Sequence, residues 1–205
     1  PAFAQAAQAD LVYLAHSPAN PKTEAIVVPE NSPIHNVADL KGKRVGLNKG
    51  SDVNYLLVAA LEKAGLSYKD ITPVYLPPAD ARAAFQRGAI DAWVIWDPYL
   101  AEVETNAKAR QIRNAEGLVP HYTFYLASRK FAENHPDTAK QVVDELRQLS
   151  DWANAHQDDA AGILSTSTGL DKAIWLKALA RLPYGAERMT PAVYNEQQAL
   201  ADTFT

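Results

Sequence analysis

The chain has 205 residues, 47% of them hydrophobic and 21% charged, enough for one or two domains with a buried core and too apolar for a disordered chain. Lys plus Arg number 20 against 24 Asp plus Glu, a net charge of −4 that argues against a nucleic-acid-binding surface. There is no cysteine, which excludes disulfides, thiolate metal sites, iron–sulfur clusters and a catalytic thiol.

Residues 1–9 (PAFAQAAQA) predict a helix with Pro in its first turn, and 11–15 a short strand. Entering an α/β pattern midway is an odd start for a whole domain, so an earlier portion of the natural protein is expected before Pro1. Residues 16–24 (HSPANPKTE) read as a loop, and 25–28 as a buried strand ended by Pro29. A single helical turn at 37–42 closes on Gly42, and 44–48 form the next strand. Lys49-Gly50-Ser51 then turns the chain into a helix over 52–64, closed by Gly65. Val53, Leu56, Leu57, Ala60, Leu61 and Ala64 fall on one face of it.

A strand at 71–76 leads to a helix over 81–87 stopped by Gly88. Residues 90–96 (IDAWVIW) form a central strand ended by Asp97-Pro98-Tyr99, with a short helix to about residue 105. An edge strand at 110–113 and a further strand at 122–127 follow. Beyond residue 128 the chain is almost wholly helical, with helices over 136–155, 158–166, 171–181 and 190–203. Strands alternating with helices up to residue 128 imply parallel pairing in an α/β sheet. Ligands in such sheets sit beyond the carboxyl ends of the strands, facing helix N-termini.

Two segments meet that description. In Asn48-Lys49-Gly50-Ser51-Asp52-Val53-Asn54, Gly50 allows close backbone approach, Ser51 offers a hydroxyl, and the N–H groups of the first helical turn suit an oxyanion. The same residues read equally as an ordinary helix start capped by Ser51 or Asp52, and the Asp52 carboxylate competes for those N–H groups. In Trp96-Asp97-Pro98-Tyr99, aromatic rings suit apolar ligand groups and Asp97 suits a hydrogen-bond donor. Here the competing reading makes Trp93 and Trp96 core residues on opposite strand faces and Asp97 a helix cap. Tyr122-Thr123-Phe124-Tyr125 either lines a cleft or packs across strands.

No metal site is expected. His16, His35, His121, His135 and His156 form no H-x-x-x-H or H-E-x-x-H pair and read as loop or surface residues. There is no P-loop and no G-x-S-x-G elbow, and no paired acid–base site with a nucleophile. Glu102 and Glu104 are assigned to a solvent face, and Asp158 and Asp159 to a solvated helix start.

In order along the chain, Pro1-Ala2-Phe3-Ala4-Gln5-Ala6, Val37-Ala38-Asp39-Leu40-Lys41-Gly42-Lys43-Arg44-Val45, Lys49-Gly50-Ser51, Pro78-Ala79-Asp80-Ala81-Arg82-Ala83-Ala84-Phe85, Gly88-Ala89-Ile90-Asp91-Ala92-Trp93, Trp96-Asp97-Pro98-Tyr99 and Phe124-Tyr125-Leu126-Ala127 form a series. The series resembles the aliphatic sulfonate-binding periplasmic proteins of bacterial ABC importers, related to taurine- and nitrate-binding proteins. The resemblance implies an α/β, two-lobed periplasmic-binding-protein fold (type II-like). It makes 25–124 the second lobe and 1–24 with 125–205 parts of the first, hinged near 23–25 and 123–125. It also implies that the family's opening strands and helices before Pro1, and an extension after Thr205, are absent here.

The implied function is capture of an alkanesulfonate or similar small organic anion in the periplasm for a membrane permease, by a monomer, without catalysis, cofactor or nucleic acid. The implied ligand-binding residues are Lys49, Gly50, Ser51, Asp52, Asn54, Trp96, Asp97, Tyr99 and Thr123. Asp52 stands where relatives carry a small polar residue. Two rival readings remain on the same scaffold. A thiamine-pyrimidine synthase-like enzyme is opposed by the missing cysteines, and an effector-sensing domain of a transcription regulator would need a DNA-binding segment elsewhere.

Overall fold

The computed structural model describes residues 1–204, apart from the Phe3 side chain. In chain order the elements are α1 (Ala2–Ala6), β1 (Leu11–His16), β2 (Glu24–Val28), β3 (Arg44–Leu47), α2 (Asp52–Lys63), β4 (Thr72–Tyr75), α3 (Pro78–Gln86), β5 (Ala92–Trp96), α4 (Tyr99–Asn106), β6 (Arg110–Asn114), β7 (Phe124–Ser128), α5 (Arg129–Asn134), α6 (Pro136–Ala155), α7 (Gln157–Thr168), α8 (Lys172–Leu179) and α9 (Pro191–Thr203). Single 3₁₀ turns fill Val37–Leu40 and Tyr68–Asp70. Gly65 and Gly88 end their helices with φ of +72° and +68°, the left-handed conformation that only glycine adopts without strain. The expected helices 136–155 and 190–203 correspond to α6 and α9, and the short helix α5 fills a stretch to which no separate helix was assigned.

The chain divides into two compact units. One comprises residues 1–20, 122–163 and 183–205, of which Thr205 lies outside the described residues; the other comprises 21–121 and 164–182. The first unit carries a two-stranded antiparallel ribbon, β1 with β7, together with α1, α5, α6 and α9. Tyr13 meets Phe124 edge-on across the ribbon, with ring centroids 5.0 Å apart. His16 is buried at the end of β1, its two ring nitrogens facing the carbonyls of Ser17 and Arg188. It is therefore not the surface residue its sequence context suggests.

The second unit is a five-stranded sheet in the order β4-β3-β5-β2-β6 with helices on both faces. Alternation along each inner strand divides its side chains. Ile26, Val28, Ala92 and Val94 join Val53, Leu56, Leu57, Ala60 and Leu61 of α2 in one core. Ala25, Val27, Trp93 and Ile95 join Ala81, Ala84 and Phe85 of α3 with Leu100 and Val103 of α4 in the other. Burial on both faces explains why 25–28 and 92–95 are unbroken apolar runs.

Pairing departs from the all-parallel expectation. β3 is parallel to β4 and β5, but β2 runs antiparallel to both β5 and β6. β1 belongs to the separate ribbon, and neither neighbour of β2 follows or precedes it through a single βαβ crossover, so no crossover fixes β2 in the parallel sense. α8 closes the second unit: Ile174 and Ala178 bury against Ala101 of α4.

Candidate functional site

The turn before α2 bends at Gly50, where φ is +69°. Ser51 is the N-cap residue by position, yet its Oγ donates backward to the Asn48 carbonyl at 2.8 Å and makes no cap bond. Asp52 takes over part of that work, accepting from the Val53 N–H at 3.0 Å, so the carboxylate does occupy one of the donors an anion would use. The Asn54 N–H goes to the Ser51 carbonyl at 3.1 Å. Gly50, Ser51 and Asp52 supply the remaining amides of the turn, at the positive end of the helix dipole. Asn54 is buried, with its amide 3.4 Å from the Tyr68 hydroxyl, and the Lys49 ammonium sits over the Tyr75 ring at 5.5 Å.

At the carboxyl end of β5, Trp96 packs against both cores and meets Tyr99 edge-on at 6.3 Å. Trp93 belongs to one core only, as strand alternation requires. The Asp97–Pro98 bond is cis. Asp97 Oδ1 accepts from the Ala101 N–H and from Arg181, both at 2.9 Å, so Asp97 both caps α4 and neutralises a half-buried guanidinium. Burial pushes the Asp97 carboxyl up to about 6, against the pull of Arg181 and the Ala101 amide.

Glu102 and Glu104 are not on a solvent face. Glu102 is buried beside Arg82. Glu104 is held by Lys177 at 2.9 Å, Arg181 at 3.1 Å and Gln111 at 2.6 Å. Burial lifts Glu104, but these donors outweigh it and leave its carboxyl below the usual carboxylate range. The cationic partners of Glu104 come from α8 and the residues just after it, and that of Glu102 from α3, all too distant in sequence for helix periodicity to reveal.

Between the two segments lies a cluster with no local motif. Glu24 opens β2 opposite Trp96 in the antiparallel register and is fully buried. His121 Nδ1 lies 3.0 Å from Glu24 Oε2 and 3.3 Å from Asp52 Oδ2. The contact with Glu24 is close but not aligned as a hydrogen bond, and Glu24 Oε1 has no hydrogen-bond partner. Burial raises the Glu24 carboxyl, partly offset by His121, with the Asp52 charge adding to the rise. Burial lowers the His121 imidazole, but Glu24, then Asp52 and Asp97, outweigh it and leave it above its ordinary value. His121 is only 10% exposed, and its backbone is left-handed, with φ +51°.

His121 thus lies in a loop, as its sequence context suggests, but it is nearly buried and faces two carboxylates rather than solvent. A spacing search along the sequence misses the cluster because its members come from three separate stretches. Glu24 lies opposite Trp96 at the end of β5, and His121 links it to Asp52 at the start of α2. Thr123 belongs to the other unit, where its amide donates to Ser17 Oγ at 3.0 Å.

Known proteins resemble the chain along its whole length. The chain is 41% identical over all of its length to an Escherichia coli (strain K12) protein whose name assigns it provisionally to aliphatic sulfonate binding, and it spans 64% of that relative. The crystal structure of the periplasmic aliphatic sulphonate binding protein of Escherichia coli superimposes with a TM-score of 0.92 at 40% identity, covering 100% of this chain and 67% of that one. The alkanesulfonate-binding protein of Xanthomonas axonopodis pv. citri, solved bound to MOPS, gives 0.93 at 42% identity, with 100% and 71% covered. The α/β architecture is thus that of the periplasmic sulfonate-binding proteins. No helix among the described residues is long and apolar enough to cross a membrane. The profile of the NMT1/THI5-like family matches residues 2–160, well over half of the chain, and to that family the chain belongs.

Proposed function

We propose that this chain is the ligand-capturing part of a periplasmic solute-binding protein that delivers aliphatic sulfonates, or similar small organic anions, to an ABC importer. The observation carrying this reading is the match along the whole chain, at 42% identity and a TM-score of 0.93, to a protein bound to MOPS, itself a sulfonate. The amides at Gly50, Ser51 and Asp52 hold the sulfonate oxygens, where the α2 dipole favours negative charge, and the Ser51 hydroxyl joins them by turning from the Asn48 carbonyl to the ligand. Lys49 and Asn54 flank that turn. Trp96 and Tyr99 cover the alkyl group, Asp97 steadies that wall through the Ala101 amide and Arg181, and Thr123 belongs to the same set.

The ligand is taken up and released unchanged, so its affinity rests on preformed donors and excluded water. The protein works as a monomer in the periplasm, with a membrane permease as its partner. In the same reading, 25–124 form one lobe of the binder, and 1–24 with 125–205 belong to the other.

Calorimetric titration with ethanesulfonate through hexanesulfonate tests the proposal. Saturable binding is expected, weakened at least tenfold, about 1.4 kcal/mol, in the double variant Ser51→Ala, Trp96→Ala. Affinity retained within about twofold would displace the site from these residues. Absence of binding to every member of the series would remove the sulfonate reading.

A further inference from the structure

We propose that Glu24, Asp52 and His121 form a binding site for a divalent transition-metal ion of the zinc type. Three features of the cluster point there. First, the donor set is one imidazole nitrogen with two carboxylates, a combination that zinc accepts and that leaves a fourth position open. All three donor atoms lie within 4.8 Å of one another.

Second, the spacing fits. Tetrahedral zinc bonds of about 2.0–2.2 Å put neighbouring ligand atoms roughly 3.3–3.6 Å apart. His121 Nδ1 lies 3.0 Å from Glu24 Oε2 and 3.3 Å from Asp52 Oδ2.

Third, the members of the cluster meet at ion-pair distance without aligned hydrogen bonds. Glu24 is fully buried, neither of its carboxylate oxygens has an aligned hydrogen bond, and the same holds for His121 Nδ1. A buried carboxylate beside a buried imidazole ordinarily aligns one strong hydrogen bond. Here Nδ1 instead faces two carboxylates at once, as a metal ligand would. Asp52, with a side chain 44% exposed, gives the ion a route in from solvent. His121 is held in a left-handed backbone conformation that aims it at this point, a local strain of the kind found where a side chain must be placed for a task.

The site does not depend on the sulfonate reading, and its test contains no sulfonate. Protein stripped with EDTA is titrated with ZnCl₂ by calorimetry in a sulfonate-free buffer, with MgCl₂ as the hard-cation control. One zinc per chain is expected, at least a hundredfold tighter than magnesium. His121→Ala and Asp52→Asn should each weaken it at least tenfold. X-ray absorption of the zinc-loaded protein should show a first shell of oxygen and nitrogen near 2.0–2.2 Å, with one imidazole. No saturable zinc binding overturns the proposal. So does affinity kept within threefold in Asp52→Asn, a half-exposed position where misfolding is not the explanation; the metal would then be held by other histidines.

Discussion

Asp97 performs two jobs with one oxygen, and its ionisation links them. Its folded-state value of about 6 stands above the 3.8 of an unperturbed aspartate, because burial disfavours the charge more than Arg181 favours it. The folded protein therefore binds this proton more tightly than the unfolded chain. The associated stability is complete below pH 4 and is lost as the pH rises through about 6. In Asp97→Asn that dependence should vanish, so the difference in urea midpoint between variant and parent should change between pH 4 and 6 and flatten above 7. Parallel midpoint curves for the two proteins across that window would refute the assignment.

The pairing of Asp97 with Arg181 also marks what sequence reading could reach. Gly50 before a helix and Asp97 before Pro98 are local signals, and both fall where the chain turns. Asp97 could be read as a cap from its neighbours, but not as the counter-ion of an arginine 84 residues away. The same holds for Glu24 and His121. Each looks unremarkable among its own neighbours, and their chemistry exists only after β2 has been inserted beside β5.

Among the elements, β3 offers the sharpest packing test. A Cβ added at Gly46 would collide with Ile90 Cδ1, while Gly46 itself is flanked by β4 and β5. Gly46→Ala should cost about 1–3 kcal/mol through overpacking. The obstacle is the tip of one side chain, so Ile90→Val, which removes that tip, should recover much of the loss. In a double-mutant cycle read by urea denaturation, the two substitutions together should cost less than the sum of the singles. Simple additivity would place the clash elsewhere.

Element boundaries were largely legible because they depend on short-range chemistry: Gly65 and Gly88 stop helices, and Pro136 and Pro191 sit in first turns. Strand direction was not. The apolar run at 25–28 announces burial on both faces but says nothing of which way the strand runs, and the antiparallel neighbours of β2 were missed for that reason.

For the molecule as a whole, the surface is less uniformly polar than a net charge of −4 suggests. Along α6, Val142, Leu149 and Trp152 are 44%, 59% and 37% exposed, and they line up with Leu146 at helical spacing. Such a stripe should bind the dye ANS at neutral pH without unfolding. Replacing Val142 with Lys and Leu149 with Glu should lower that fluorescence severalfold. The unfolding free energy should stay within about 0.5 kcal/mol, as is usual for exposed positions. Unchanged fluorescence would locate the dye elsewhere.

The return of residues 164–182 to the sheet-bearing unit has a practical corollary for dissecting this protein. A fragment cut at residue 121 would keep every strand of the sheet. It would nevertheless strip Ala101 of its apolar cover and strand Asp97 and Glu104 without Arg181 and Lys177. Excision of that half as an autonomous piece therefore calls for a fusion that carries the helical return segment along, joined through a spacer across the gap.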